Sequence, residues 1–350
     1  MRAVRTHQGS APYSAANPAP PSSLFLDDNV PIPQLARPGE LLIRVHAATV
    51  TRDELAWPET YGPNHSILGH DFAGEVVDTF DHKNSSPPDD QTALAPGDHV
   101  YGMTAASREY STWAQFAVVK SDETARKPAS LDWAAAATVP MSALTAWQAL
   151  FVHARVPEPD LSTSTTNTAP TPSPRKLLVT GASGAVGSYL VQLGALAGLD
   201  VTAASRSKTA NAEFLHSLGA AQIAEYDELL GKESEYDIIT DTVGGEALEN
   251  CWYLVKDGGH LITVDSSSLD FVEKHQKRLD GKAKRENVNA LGFIVEKDHV
   301  QLQKIAMAVD LGLLKAFVAQ VFPIHNVCEA YETGSMKSAR RGKIVLLVDV

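Results

Sequence analysis

Residues 177–187, which read LLVTGASGAVG, decide the fold of the second half of this 350-residue chain. Their apolar start predicts a β-strand, and the pattern from Ser188 onward predicts a helix. The small-residue turn between them carries spaced glycines, although Ala182 stands where the first glycine of the usual fingerprint would be. Glycines let a backbone approach phosphate groups, and the first amides of a helix point at negative charge. We therefore predict that a dinucleotide pyrophosphate binds here, along Gly181, Ser183, Gly184, Ala185, Val186 and Gly187.

The end of the next predicted strand, over residues 200–204, indicates which dinucleotide binds. It lies about 20 residues beyond the glycines, where an NAD-binding protein places a carboxylate for the ribose hydroxyls. This chain has Ser205, Arg206 and Lys208 there instead. A hydroxyl beside two cations suits a 2′-phosphate, which a guanidinium can hold through two parallel hydrogen bonds. The sequence therefore favours NADPH over NADH, and a solvated loop after a strand is the alternative interpretation.

The composition is that of an ordinary globular protein, with 44% hydrophobic and 21% charged residues, and the length suffices for about two domains. A net charge of −12 argues against nucleic-acid partners and anionic membrane surfaces. The N-terminus lacks the apolar core of a secretory signal, and no window approaches the ~20 apolar residues of a membrane span. Cys251 and Cys328 are the only cysteines, which excludes a disulfide framework. We therefore expect a cytoplasmic protein.

The pattern of the chain changes along its length. Up to about residue 127 it predicts short strands and turns, and from 175 to about 292 strands alternate with helices, as in a parallel sheet of βαβ units. The last predicted strand, over residues 343–348, is expected to return to the first domain. Three stretches rich in Pro, Ser, Thr or Asn, at 8–21, 82–96 and 157–174, are expected to be exposed loops or insertions.

Several motifs occur together, in the order in which they occur in one known family. They are ILGHDFAGEVV at 67–77, PGDHVYG at 96–102, AAAATVPMSALTAWQAL at 134–150, YDIITDTVGG at 236–245, and FPI, AYE and RGKIV after residue 321. With the phosphate loop, they make the chain resemble the zinc-independent quinone oxidoreductase family of the medium-chain dehydrogenase/reductase superfamily. The resemblance implies an α/β protein. It would have a GroES-like β-rich domain at 1–140 and 318–350, a Rossmann NADPH-binding domain with a doubly wound parallel sheet at 141–317, and a substrate cleft between them.

We expect no metal. Zinc-dependent relatives carry a cysteine after the first long strand, where this chain has Thr51, Arg52 and Asp53. His70 and Asp71 stand where those relatives have a His-Glu pair, but two ligands do not make the three-ligand site of a catalytic zinc. A locally hydrogen-bonded turn histidine is the plainer interpretation of His70.

Without zinc, the chemistry must come from NADPH, and hydride donation to a quinone or an α,β-unsaturated carbonyl is the reaction that fits. The charge that develops on oxygen needs a hydrogen-bond donor, and a proton must follow. The resemblance makes Tyr61 the first catalytic candidate, with Asp53 and Arg52 at a turn that faces the cleft. A packing role for Tyr61, turn roles for the other two, and proton delivery by solvent remain open.

The resemblance also implies further cofactor contacts. Thr138 and Met141 would line the nicotinamide side, and residues 293–295 would meet the carboxamide. Ligands of open α/β sheets bind at the carboxyl ends of the strands, where residues 241–244 and Val264 lie. Each position could instead be core or turn, and Lys343, placed by the resemblance near the adenine phosphates, could be a surface lysine. The predicted contacts are Thr138, Asp241, Val243, Val264, Phe293, Ile294, Val295 and Lys343.

Three functions stay open at this stage. The first is an NADPH-dependent quinone or enone reductase acting on small molecules. The second is an enoyl reductase of a biosynthetic, polyketide-type pathway, and the third is a nucleotide-binding protein without catalysis. The chain is expected to be a monomer or a homodimer.

Overall fold

The structure, a computed structural model, describes residues 1–7, 12–61, 67–80, 93–105, 111–161, 175–276, 287–335 and 341–348. Parts of the three stretches expected to be loops, namely 8–11, 82–92 and 162–174, lie outside these ranges. The strands are β1 (Ala3–Thr6), β2 (Leu24–Asp27), β3 (Glu40–Val50), β4 (Asp71–Thr79), β5 (His99–Met103), β6 (Phe116–Lys120), β7 (Thr124–Arg126), β8 (Lys176–Val179), β9 (Asp200–Ala204), β10 (Gln222–Ala224), β11 (Tyr236–Asp241), β12 (Val255–Thr263), β13 (Asn289–Gly292), β14 (Val318–Pro323) and β15 (Lys343–Leu347). The α-helices are α1 (Trp133–Ala137), α2 (Pro140–Trp147), α3 (Ala185–Leu196), α4 (Lys208–Ser217), α5 (Gly245–Leu254), α6 (Phe271–Gln276), α7 (His299–Asp310) and α8 (Val327–Ser335).

The chain divides into two compact units, 1–141 with 296–350, and 142–295. The return to the first unit comes at Glu296, earlier than the expected residue 318, because α7 packs on the first unit. There the Tyr101 hydroxyl donates to the Leu302 carbonyl at 2.6 Å. Asp310, at the end of α7, accepts hydrogen bonds from the amides of Ala129 and Ser130 at 3.1 and 2.9 Å.

The first unit is built on a seven-stranded sheet with the order β14-β15-β3-β4-β5-β7, and β6 also pairs with β3. All of its pairings are antiparallel except that of β14 with β15. From Leu41 to Val45 the long strand β3 alternates buried and more exposed side chains, so that Ile43 and Val45 enter a core with Phe72 and Trp113. The last strand, β15, pairs with β3 and confirms that the chain returns to this domain.

The second unit is a six-stranded parallel sheet with the order β10-β9-β8-β11-β12-β13. The strand order reverses between β8 and β11, which is where doubly wound sheets bind their ligands. The central strand β8 is an almost continuous apolar run because helices cover both faces of such a sheet. The GroES-like and Rossmann predictions are both confirmed.

Among the described residues, no helix has the length and apolar character needed to span a membrane.

Candidate functional site

The turn between β8 and α3 has the geometry of a phosphate-binding loop. Gly181 has a φ of +62°, which favours glycine, and Gly184 forms the N-cap of α3. A Cβ on Gly187 would lie 2.2 Å from the Gly181 carbonyl oxygen, so only glycine lets the helix pack this close to the turn. The first amides of α3, at Ala185, Val186 and Gly187, have no intrahelical partner and point out of the helix N-terminus. Ser183, in the turn, is half-buried.

Tyr226, which we did not predict from the sequence, holds this loop in place. Its hydroxyl accepts a hydrogen bond from the Gly181 amide at 2.9 Å, and burial raises its pKa. It lies just after β10, two strands away from the loop in the sheet. Only the tertiary fold brings the two together, because 45 residues separate them in the sequence.

The three side chains predicted to hold a 2′-phosphate differ in their surroundings. Ser205 is buried, and its hydroxyl accepts a hydrogen bond from Asn211 Nδ2 at 2.9 Å. Lys208 lies at the surface with its Nζ 3.3 Å from a carboxylate oxygen of Glu228. Arg206 is exposed and makes no ion pair with any residue that the structure describes. Of the two cations, Arg206 is therefore the one without an ion pair among the described residues, and its predicted contact with a 2′-phosphate stays a prediction.

Asp241, at the carboxyl end of β11, ties three strand ends together. Its carboxylate accepts hydrogen bonds from the hydroxyls of Thr180 (2.6 Å) and Thr263 (2.8 Å) and from the Gly244 amide (2.9 Å). The side chain is fully buried, and burial raises its pKa. These contacts occupy the carboxylate within the second unit. Asp241 therefore shapes the sheet edge, and its predicted contact with a cofactor stays a prediction.

The other cofactor contacts predicted in the second unit differ in how exposed their side chains are. The Val264 amide donates to the Asp241 carbonyl at 2.9 Å, while Val243 is exposed. Phe293 packs against His153 with ring centroids 4.2 Å apart, and the side chain of Ile294 is 59% exposed. Val295, which ends the second unit, is half-buried. The exposed apolar side chains at this edge are compatible with the predicted cofactor contacts.

In the first unit, a buried ion pair joins Lys343 to Asp71. The Lys343 ammonium donates to the Asp71 carboxylate, and the two side chains are 7% and 0% exposed. Asp71 also accepts from the Thr49 hydroxyl at 2.7 Å and from the Met141 amide at 2.8 Å. Lys343 therefore has a partner inside its own unit, and its position does not support the predicted contact with adenine phosphates.

Glu54 and His70 lie beside this ion pair. The Glu54 carboxyl accepts a hydrogen bond from the Gly69 amide, and its other oxygen, Oε2, is buried without a partner. Burial raises the pKa of Glu54 to about 8. His70 Nε2 is 4.0 Å from Glu54 Oε1, and the Trp57 ring tilts over the imidazole at 5.4 Å between centroids. The sequence does not single out Glu54, since its burial depends on the packing of several distant strands.

The structure places the predicted catalytic residues at less suitable positions. The Tyr61 hydroxyl accepts from the Ala19 amide at 2.8 Å and donates to the Leu55 carbonyl, so both hydrogen-bonding roles are occupied by backbone. Asp53 is about half exposed and lies 3.6 Å from the guanidinium of its neighbour Arg52. These contacts are those of a packing tyrosine and a surface turn, and catalytic roles for both stay predictions without support from their contacts.

Thr138 ends α1 and is buried, with its hydroxyl donating to the Ala135 carbonyl at 2.7 Å. Met141, which follows shortly, is half-buried and lies at the beginning of α2. A predicted contact of Thr138 with the nicotinamide would have to share that hydroxyl with the helix end.

Two family models match the chain, the alcohol dehydrogenase GroES-like domain over residues 37–129 and the zinc-binding dehydrogenase over residues 218–346. The residues present do not fit the zinc ion that the second description implies. Thr51 follows β3 with a hydroxyl in place of a thiolate, and Asp71 is occupied by Lys343, Thr49 and the Met141 amide. Within the described ranges, no group of three or more His, Cys, Asp and Glu side chains could hold a metal ion.

Known proteins resemble the chain over almost its whole length. A "probable zinc-binding oxidoreductase, mitochondrial" from Arthroderma benhamiae is 33% identical over 325 residues, covering 89% of this chain and 88% of the relative. The mitochondrial "NAD(P)H oxidoreductase RTN4IP1" of Danio rerio is 25% identical over 397 residues, covering 99% and 96%. Both relatives are named as mitochondrial proteins, and these names overturn our expectation of a cytoplasmic location. That expectation was wrong because the lack of a secretory core and of disulfides does not separate the cytosol from mitochondria, whose leaders have a different composition.

A solved structure extends the likeness to three dimensions. The quinone oxidoreductase from Coxiella burnetii superimposes with a TM-score of 0.76 at 25% identity, covering 99% of both chains. Its fold matches the GroES-like and Rossmann units described above. With relatives of this kind, a nicotinamide cofactor is supported. The chain belongs to the medium-chain dehydrogenase/reductase superfamily and is an oxidoreductase.

Proposed function

We propose that this protein is an NADPH-dependent, zinc-independent reductase that transfers a hydride to a quinone or an α,β-unsaturated carbonyl compound. When bound, NADPH supplies the hydride. The turn after β8 and the N-terminus of α3 would hold its pyrophosphate. The strand ends around Asp241 would line the surface on which the nicotinamide half binds.

The single observation that carries the proposal is the occupation of Asp71. Its oxygens are satisfied by an ammonium, a hydroxyl and an amide, and Thr51 offers no thiolate, so the site is built as an internal ion pair and not as a ligand set. Alcohol oxidation in zinc enzymes relies on a Lewis acid. An acceptor that needs no such activation is one that is already electron-poor, which describes quinones and enones.

The preference for NADPH is supported by Arg206. The guanidinium lies two residues beyond the end of β9 and is exposed and unpaired in the described part of the chain, and Ser205 beside it replaces the carboxylate that would bind a ribose diol. Lys208 is weakly held, since an exposed ion pair such as the one with Glu228 is worth only about 0–1 kcal/mol. Lys208 can therefore turn toward a phosphate at small cost.

The names of the relatives support the same proposal. The Coxiella burnetii protein is named a quinone oxidoreductase and the Danio rerio protein an NAD(P)H oxidoreductase. We extend both activities to this chain, together with the mitochondrial location of the curated relatives. Fractionation of cells that express the full-length chain tests the location.

The test of function measures oxidation of NADPH and of NADH by the purified protein with a panel of quinones and α,β-unsaturated ketones and aldehydes. We expect rapid turnover with NADPH and little with NADH. Arg206→Ala should raise the KM for NADPH about 10- to 100-fold, because a hydrogen bond to a charged group is worth about 1.5–3 kcal/mol. The KM for NADH should not change. Lys208→Ala should raise the KM for NADPH less than Arg206→Ala does, because an ammonium cannot hold a phosphate through two parallel hydrogen bonds. Lys232→Ala, at an exposed lysine of the same unit that pairs with Glu235, is the control and should change neither KM.

Other outcomes would redirect the proposal. Equal rates with the two cofactors would refute the role of Arg206. Turnover of carrier-bound enoyl thioesters alone would indicate an enoyl reductase of a biosynthetic pathway. Tight NADPH binding without turnover of any acceptor would indicate a binding protein. Light scattering of the same sample distinguishes a monomer from a homodimer.

A further inference from the structure

The two cations proposed to meet a 2′-phosphate differ in their freedom, because a carboxylate that follows the neighbouring strand contacts one of them. We infer that Glu228 is a specificity-determining residue, whose carboxylate pairs with Lys208 and lowers the affinity for a cofactor that carries a 2′-phosphate. The charge of Glu228 thereby sets how strongly the protein discriminates NADPH from NADH. This inference rests on the proposed function, since it concerns the same cofactor site.

The residues that follow β10 lie beside both parts of the proposed phosphate site. Strand β9 pairs in parallel with β8 and with β10, so the carboxyl ends of all three meet at one edge of the sheet. The Tyr226 hydroxyl accepts a hydrogen bond from the Gly181 amide at 2.9 Å, and the Ser205 amide donates to the Ala224 carbonyl at 3.0 Å. Burial raises the pKa of Tyr226 and the charge of Arg206 lowers it, so that guanidinium lies near the tyrosine. A charge placed just after Tyr226 therefore acts on this site.

Backbone hydrogen bonds fix the spacing between Glu228 and Lys208. The Glu225 carboxylate accepts from the Lys208 amide, at the start of α4, at 2.7 Å. The Glu225 amide donates to Glu228 Oε2 at 2.9 Å, and Lys208 Nζ donates to the other oxygen, Oε1, at 3.3 Å. Two surface side chains alone would lose conformational entropy on pairing. Here the carboxylate of Glu228 is already held by the turn, so it stays within reach of the ammonium.

The negative charge of Glu228 opposes a 2′-phosphate in two ways. The hydrogen bond from the Glu225 amide, and then that from Lys208, lower the pKa of Glu228 below its ordinary value, so the carboxylate is ionised at neutral pH. It occupies the Lys208 ammonium, which a phosphate would otherwise use, and it repels the phosphate directly. Arg206 has no ion pair among the described residues, so this competition concerns Lys208 alone.

Both effects depend on the charge of the cofactor at this position. NADH carries an uncharged ribose diol there, so its affinity does not depend on the charge of Glu228. The side chains of Lys208 and Glu228 are about half exposed, which keeps the effect small. Release of the ammonium and loss of the like-charge repulsion add, and together they should strengthen NADPH binding about 3- to 10-fold when the charge of Glu228 is removed.

The test measures dissociation constants by titration calorimetry on the full chain, for NADPH, NADH, adenosine 2′,5′-bisphosphate and adenosine 5′-monophosphate. Glu228→Gln removes the charge and keeps an oxygen that can accept from the Glu225 amide. It should bind NADPH and the bisphosphate about 3- to 10-fold more tightly, with the other two affinities within about 2-fold of the wild type. Asp227→Asn is the matched control, because this exposed carboxylate of the same turn has no side-chain hydrogen bond or ion pair among the described residues. It should change the affinity for NADPH less than about 2-fold.

A second pair of variants tests whether Glu228 acts through Lys208. In a Lys208→Met background, the gain in NADPH affinity from Glu228→Gln should fall to less than half, because no ammonium is left to release. In the wild-type background the gain should also shrink at about 1 M salt, where the Debye length is about 3 Å. A gain that is undiminished in the Lys208→Met background overturns the inference.

The outcomes separate this inference from the proposed function. Unchanged or weaker NADPH binding by Glu228→Gln, or an equal gain for NADH, overturns the inference and leaves the reductase intact. A wild type that binds NADPH and NADH equally, with neither affinity changed by Glu228→Gln, refutes the preference for NADPH as well. A selective gain for NADPH in a protein that turns over no acceptor refutes the reductase and supports the role of Glu228.

Discussion

Replacing Lys343 by Met should destabilise the first unit strongly, because it leaves the buried Asp71 carboxylate without its counter-charge. Met is similar in length to Lys and apolar, so packing is roughly kept while the ammonium is lost. Thr49 and the Met141 amide still donate to Asp71, but neither carries a charge. The perturbation therefore isolates the ion pair.

The expected magnitude follows from the burial of both partners. With Asp71 fully buried and Lys343 7% exposed, removal of one partner should cost about 3–5 kcal/mol. At about 2–4 °C per kcal/mol for a domain of this size, the Tm should fall by roughly 6–20 °C. Lys274→Met, which breaks the exposed pair with Asp270 in the second unit, should cost less than about 1 kcal/mol.

The assay is a double-mutant cycle in thermal and urea unfolding, followed on probes of the first unit. Asp71→Asn in the Lys343→Met background removes the unpaired charge and should recover more than half of the lost stability. The affinities for NADPH and NADH are measured on the same proteins and should not change. Additive effects of the two substitutions, or a loss below 1 kcal/mol, would refute the role of the ion pair. A selective loss of NADPH affinity would restore the sequence prediction that Lys343 meets the cofactor.

Three further predictions concern the second unit. Gly187→Ala should lower the Tm and abolish NADPH binding, because its Cβ would lie 2.2 Å from the Gly181 carbonyl oxygen. Gly184→Ala, whose Cβ would lie 3.2 Å from the same oxygen, should keep the wild-type Tm within about 2 °C. Similar losses of Tm in both variants would contradict the packing argument. Tyr226→Phe should weaken NADPH binding by about 5- to 10-fold through loss of the bond to the Gly181 amide, as measured by quenching of protein fluorescence, and unchanged affinity would show that the loop holds its shape unaided. Asp241→Asn should cost about 1–3 kcal/mol in urea unfolding, because an amide nitrogen cannot accept the hydrogen bonds that the carboxylate now receives, and a neutral effect would contradict its role at the strand ends.

The order of elements in the second unit could be predicted because its signals are local. The apolar run at β8, the glycines and the start of α3 follow one another within a few residues, so this strand, turn and helix can be predicted without tertiary information. The position of Arg206 follows equally from its distance to these glycines. The structure of the second unit around this turn is therefore determined largely by short-range sequence.

Residues whose roles depend on distant partners could not be predicted in the same way. We expected the chain to return to the first domain at residue 318, whereas in the structure α7 already packs on the first unit. The sequence of α7 does not show that the Leu302 carbonyl accepts a hydrogen bond from Tyr101. Tyr61 was favoured as a proton donor, but its hydroxyl is used by the backbone of Ala19 and Leu55. Hydrogen-bond partners across tens of residues are set by packing, and sequence spacing does not record them.

The sequence by itself determined the two-domain α/β architecture, the glycine-rich turn after β8 and the arginine that follows β9, because hydrophobic period and turn chemistry act over a few residues. Only the tertiary structure decided that Lys343 pairs with Asp71 across 272 residues and that Glu54 is buried beside His70. The physical reason is desolvation. Whether a carboxyl group is charged, and which groups it pairs with, depends on how far the fold removes it from water. For Glu54 that environment is formed by β3, β4, β15 and α8 together.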